Sequence, residues 1–150
     1  MRSFWPLAIM AAVYIAFSRS SGPGGGVTSD RVRRIAEAIA VAEGFAFPGA
    51  PATSPGNIPN SRNNPGNLTD ASKPIGSPNW IRTFPTKEAG WAALYAQVEK
   101  MLKGSTLYPA HWTIEQVAQR YTGEAAYRNW SNIVSRRLGV SPHSVFSELA

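Results

Sequence analysis

Two glutamates, Glu37 and Glu43, interrupt the apolar run IAEAIAVAEGF that covers residues 35–45. A helix advances roughly 100° per residue. With Val32 as the reference, Ile35, Ala36, Ile39 and Ala40 form a stripe from roughly 300° to 80°, Glu43 falls near 20° within it and Glu37 near 140° outside it. Glu37 therefore reads as an ordinary surface charge. Glu43 points toward the core or into a cleft cut into it. An ionised carboxylate in an apolar wall is costly unless paired, so such a group raises its pKa and keeps its proton near neutrality. A protonated carboxylic acid in a pocket is the reagent of general acid catalysis. The same position also admits structural readings: a carboxylate in a fraying last turn before Gly44, or one paired with an arginine.

A second candidate lies downstream. SRNNPGNL, residues 61–68, gathers Arg62, Asn63, Asn64 and Asn67 around a Pro-Gly turn. Asparagine amides both donate and accept, which suits sugar hydroxyls and N-acetyl groups. Asn, Pro and Gly are equally the residues of plain turns. With no cysteine in the chain, disulfides and thiolate zinc sites are excluded. His111 and His143 stand apart without ligand-like spacing, so neither a metal nor a cofactor is expected.

The elements that must position these groups read as mostly helical. Helix one runs from about Asp30 to Glu43, with Ser29 as N-cap and Gly44 as stop. Seven prolines and four glycines between Pro48 and Pro78 exclude a long helix or a central strand there. WIRTF, residues 80–84, alternates as a short strand. Helix two follows Thr86 and ends at Gly104, with Trp91, Leu94, Tyr95, Val98, Met101 and Leu102 as its stripe. Helix three, Thr113 to Tyr121, opens on a T-x-x-Q capping box. Helix four, AAYRNWSNIVSRRLG, carries Tyr127, Trp130, Ile133 and Leu138 inward, and Ser141-Pro142 opens a short last helix. The fold class is mainly α with one long polar loop and at most a small β element. Tyr95, Tyr108, Trp112 and Trp130 offer stacking faces for sugars, although aromatics at helical spacing usually pack in a core.

The chain has 150 residues, enough for one domain with a real core, and a net charge of +6 from 15 Lys and Arg against 9 Asp and Glu. That balance favours an anionic partner such as a cell wall, a lipid surface or nucleic acid. The basic residues are scattered rather than set along one helix face, which argues against nucleic acid. Phe4 to Phe17 is an uncharged run of 14 residues between Arg2 and Arg19. As a helix it spans about 21 Å, short of the roughly 30 Å hydrocarbon core. It reads as a membrane anchor or signal segment over residues 1–19, the anchor being favoured because no small-residue cleavage site follows. Residues 20–27 form a Gly/Ser linker, and residues 28–150 the folded domain. Arg19, Arg31, Arg33 and Arg34 follow the run, which by the positive-inside rule pulls the domain toward the cytoplasm.

The order of the pieces over residues 30–140 resembles phage and bacterial lytic transglycosylases of the lysozyme superfamily. The pieces are a helix ending in Glu-Gly, then RNNPGNL (62–68), TFPTKEAG (83–90), TIEQVAQRYTGE (113–124) and RRLGV (136–140). Flagellar-type glucosaminidases look like more distant relatives. The chain departs from the pattern in having two asparagines where relatives often have three, and YTGE in place of YAP. The resemblance implies a lysozyme-like fold that cuts the MurNAc–GlcNAc β-1,4 bond of peptidoglycan. It implies Glu43 and Tyr121 as catalytic residues, and Asn64 and Asn67 at the sugar; Glu124, which follows the RY pair, is a further candidate for binding in the cleft.

Such enzymes resemble glycosidases but work with one glutamate, acting as acid and then as base on the sugar's own 6-hydroxyl. A hydrolysing lysozyme would need a second carboxylate, for which Asp70 and Glu124 are the candidates. A membrane-tethered, non-catalytic wall-binding protein is the remaining alternative. The implied location is the periplasmic face of a membrane or a phage particle, with a phage virion, an endolysin or an envelope-spanning machine as the setting.

Overall fold

The structure, a computed structural model, describes residues 25–150, and their side chains from Asp30 onward. The apolar run at residues 4–17 and its reading as anchor or signal lie outside the described residues. Among those described, no helix is long and apolar enough to cross a membrane.

Among the described residues five helices carry the fold: α1 (Gly25–Glu43), α2 (Ile58–Ser61), α3 (Lys87–Lys103), α4 (Ile114–Thr122) and α5 (Tyr127–Leu138). A 3₁₀ turn at Phe146–Glu148 follows them. The chain is mainly helical, and its only β pairing among the described residues is two isolated antiparallel bridges.

Helix α1 is the central element. Val32, Ile35, Ala36, Ala38, Ile39 and Ala40 are all buried, a wider face than one stripe, because α5 and α3 both pack on it. Small residues let α1 and α5 approach closely: alanines on α1, and the buried Ser131 and Ser135 on α5. Those two hydroxyls donate back to Arg128 O and Asn132 O of their own helix, so no polar group is stranded there. Helix α1 begins at Gly25, so Ser29 lies within it and is not its N-cap.

Its C-terminus is a closed turn. Gly44 adopts φ +79°. Gly44 N–H donates to Val41 O at 3.1 Å and Phe45 N–H to Ala40 O at 2.9 Å. This is the Schellman pattern, with the wholly buried Phe45 as its apolar anchor. Glu43 is therefore the last residue of a held helix end and does not fray.

Elsewhere local chemistry sets the ends as the sequence indicates. Thr86 caps α3 through Ala89 N–H, and the Thr113–Gln116 capping box opens α4. Gly139, at φ +70°, closes α5. The WIRTF segment pairs only at Ile81, which bridges Thr69. The last helix begins at Phe146 and not at Ser141, because Val145 bridges Thr113 and Phe146 N–H donates to Trp112 O. Arg31 of α1 holds this tail by donating to the carbonyls of Ser147 and Leu149.

The long loop is ordered by backbone contacts. Asn57 caps the short α2, which the sequence reading left within the loop, and its amide Nδ2 donates to Gly44 O at 2.8 Å. Asn60 accepts from Ala46 N–H and donates to Thr53 Oγ1 and Ser54 O. Arg62 donates to Ile81 O, and Asn63 to Phe84 O. The loop then lies directly on α3 at Gly90, where a Cβ would stand 1.9 Å from Asn63 O and 2.8 Å from Pro65 Cδ. Only glycine leaves room for that approach. Gly90→Ala should displace residues 62–68 or unfold the domain, at a cost of about 3 kcal/mol in chemical denaturation. A stability within experimental error of the parent would refute the contact.

Candidate functional site

The face arithmetic that turned Glu43 inward holds. Glu43 is partly buried. Trp130, on α5, donates its indole N–H to Glu43 Oε1 at 2.8 Å. The Asn67 side-chain amide also donates to this carboxyl. Burial pushes the Glu43 pKa up to about 7, against the smaller opposing effects of the Trp130 and Asn67 donors. Near neutrality both the protonated and the ionised form are therefore within reach, so the group can either give a proton or take one.

Asn67 reaches this place through its backbone. It adopts φ +47°, a left-handed conformation that asparagine tolerates better than most residues. Its Oδ1 is buried without a hydrogen-bond partner. The preceding Gly66 is enclosed: a Cβ there would meet Leu94 Cδ1 at 2.7 Å and the Tyr121 hydroxyl at 2.9 Å.

Tyr121 projects from α4 into the same wall. Its ring centroid lies 5.2 Å from that of Trp130, tilted by 33°. Its hydroxyl donates to Gly66 O at 2.5 Å. Burial, then the charge of Glu43, then Tyr108, hold the phenol well above its usual range, so it stays neutral. Its one proton is committed to Gly66 O. Tyr121 thus ties α4 to the loop beside Glu43, a placement next to the acid rather than a free proton donor.

Asn64, expected at the sugar, is placed against backbone groups of the loop. It is wholly buried. Its Nδ2 donates to Leu68 O at 3.0 Å and Arg82 O at 2.8 Å, and its Oδ1 accepts from Leu68 N–H at 2.8 Å. The side chain replaces a missing stretch of sheet between segments 64–68 and 82.

Glu124 is exposed in the turn between α4 and α5, where its charge acts on Arg128. Asp70 accepts from Ser72 N–H and Oγ, and those two bonds hold its carboxyl below the usual range. Neither is among the groups that shift the Glu43 pKa. His143 lies 3.3 Å from Glu115 at the surface. Among the described residues no group of three or more His, Cys, Asp or Glu could hold a metal ion.

Two surface depressions lie elsewhere. One of about 290 Å³ is lined by Asp70, Lys73 and Arg82 among others, and one of about 160 Å³ by Glu115, Arg128 and His143 among others. Nearer the helix end, Phe45 and Phe47 meet the Trp91 ring edge-on at 5.8 and 5.3 Å, and Tyr95 stacks on it at 5.8 Å. The last three are only partly buried.

Trp130 is expected from the sequence on the apolar side of helix four and as one of four stacking faces for sugars; what sequence reasoning missed is its role as the hydrogen-bond donor to Glu43. A usable signal existed: a buried indole N–H needs an acceptor, and Glu43 was the one inward-facing acid. Comparison of the chain with protein-family models, curated proteins and solved structures gives no match.

The raised pKa has a consequence for stability. The folded state holds the Glu43 proton more tightly than the unfolded state, so stability falls as pH rises from 4.5 through about 7. Glu43→Gln removes the charge and keeps an acceptor for Trp130. It should stabilise the protein by up to about 3 kcal/mol at pH 8 and by little at pH 5. Urea unfolding at the two pH values checks this; equal effects at both would place the ionised carboxylate in water.

Proposed function

We propose that this chain is a peptidoglycan-cleaving lytic transglycosylase of lysozyme-like fold, acting on the MurNAc–GlcNAc β-1,4 bond. The observation that carries the reading is one carboxyl, Glu43, held at a fixed helix end and hydrogen-bonded by the Trp130 indole, with burial pushing its pKa up. The motif order described above supplies the substrate class, and a net charge of +6 suits an anionic wall.

Glu43 first gives its proton to the glycosidic oxygen, and the C1–O bond breaks as the GlcNAc end leaves as an alcohol. The Glu43 carboxylate then takes the proton of the 6-hydroxyl on the MurNAc sugar, whose oxygen closes on C1. The product is a 1,6-anhydro sugar, Glu43 recovers its proton, and no water is consumed. An acid whose two forms are both within reach near neutrality suits both steps. The Trp130 N–H would support the anionic form between them.

The hydrolytic alternative needs a second carboxylate about 5 to 9 Å from the first. Neither Asp70, engaged by Ser72, nor Glu124, exposed at another turn, is among the groups that shift the Glu43 pKa, and this favours the transglycosylase. A tethered wall-binding module is the less supported reading, because a binder gains nothing from an acid that weakens the fold when ionised. The N-terminal apolar run would hold the domain at a membrane facing the wall, or the domain would act from a phage particle.

Mass spectrometry of the fragments released from purified peptidoglycan tests the reading. Anhydro-muropeptides, lighter by one water than hydrolytic products, are expected. Release should decline as pH rises through about 7, as Glu43 loses its proton. Glu43→Gln should lower the rate by roughly 10³-fold without loss of fold, measured alongside circular dichroism. Reducing-end products would establish a hydrolase, and absence of soluble product would favour the binding module.

A further inference from the structure

We propose that Trp130 is a positioning residue for this reaction: by donating to Oε1 of Glu43, its indole N–H confines the transferable proton to Oε2. The inference rests on the functional reading above for its role in turnover. The hydrogen-bond geometry stands apart from that reading.

An indole N–H donates one bond and accepts none. Trp130 is 3% exposed, so its N–H has no water to fall back on, and Glu43 Oε1 at 2.8 Å is its partner. A neutral carboxylic acid has two unlike oxygens. The carbonyl-type oxygen is the stronger acceptor and the hydroxyl oxygen the weaker. A proton on Oε1 would weaken the bond from Trp130 and leave a buried donor poorly satisfied. A proton on Oε2 keeps that bond at full strength.

The consequence is directional. A general acid works only when the oxygen that carries the proton lies within hydrogen-bond reach of the leaving group. A carboxyl with equivalent oxygens would hold its proton on the unproductive one for part of the time. The Trp130 ring is itself held, with Tyr121 against its face. Tyr121 cannot substitute as the donor, because its hydroxyl proton already serves Gly66 O.

The groups that face Glu43 are few. Trp130 comes from α5, Asn67 from the loop and Tyr121 from α4, with Tyr108 acting on Tyr121. No lysine, arginine or second carboxylate among the described residues shifts it. A change in its titration after removal of the indole N–H therefore reports on that bond.

Two measurements on the full chain test the proposal. The first follows the five tryptophan indole N–H signals by ¹H–¹⁵N NMR against pH. The Trp130 signal, identified by its absence in Trp130→Phe or by single-site labelling, should titrate with a midpoint near 7 and stay flat in Glu43→Gln. The second is the pH profile of fragment release by Trp130→Phe. Its descending limb should move up by about one pH unit, because a donor to the carboxylate is lost. Its kcat should fall about tenfold with KM little changed.

A Trp130 signal that ignores pH in the wild-type chain overturns the proposal, as does a Trp130→Phe enzyme with an unmoved profile and normal kcat. If Trp130→Phe does not fold, the comparison of wild type with Glu43→Gln decides by NMR alone. A wild-type chain that titrates at Trp130 yet releases no fragments supports the hydrogen bond from Trp130 to Glu43 and overturns the functional reading, and with it the role in turnover.

Discussion

The site depends on a contact that contains no functional group, the approach of the Asn63 carbonyl to the Cα of Gly90. Helix α3 is a rigid rod, and the loop that precedes it has little regular structure. Contact at Gly90 lets the loop lie flush on the helix. Asn64, enclosed beside that contact, then bonds the backbone at Leu68 and Arg82 and fixes the loop's shape. Gly66 is left enclosed against Leu94 and Tyr121, and Asn67 turns toward Glu43. A bulkier residue at position 90 would move all of these together. Asn64 thus serves the site through backbone groups of the loop.

This interlock gives a physical reason why the RNNPGNL and EAG segments occur in one chain. The glycine of EAG is the surface on which the first asparagine of the loop rests. The tyrosine of RYTGE reaches the same loop from a third direction, through its bond to Gly66 O. Segments that are far apart in sequence are parts of one packing unit, whatever reaction is assigned to it. The asparagines divide the labour: Asn63 and Asn64 hold backbone, and Asn67 meets the acid.

Much of the helical frame was legible in the sequence, because caps and periodicity are local. Thr86, Thr113 with Gln116, Gly44, Gly104 and Gly139 all act where their types indicate. The inward turn of Glu43 followed from counting at 100° per residue. What was not legible depended on long-range partners. The role of Asn64 is set by carbonyls up to 18 residues away, and Trp130 meets Glu43 across 87 residues. Asn57 and Asn60 looked like plain loop residues, yet they fasten the loop to the end of α1. The strand at WIRTF shrank to one bridge because side chains of Arg62, Asn63 and Asn64 take up the carbonyls a neighbouring strand would have used.

An acid kept near neutrality is a local weakness, and the surrounding structure is arranged as if to contain it. Ionised Glu43 favours unfolding, because its charge is better solvated in the open chain. Fraying of the helix end would relieve that penalty by letting the carboxylate swing into water and its pKa return toward 4.5. The Schellman turn at Gly44 and the buried Phe45 oppose such an escape, and Asn57 and Asn60 reinforce the turn from the loop. At the opposite side of α1, Arg31 ties the C-terminal tail to the same helix. Rigidity at the end of α1 is therefore a condition for the acid and not a by-product of packing. A looser turn would give a more stable protein with an ordinary surface glutamate.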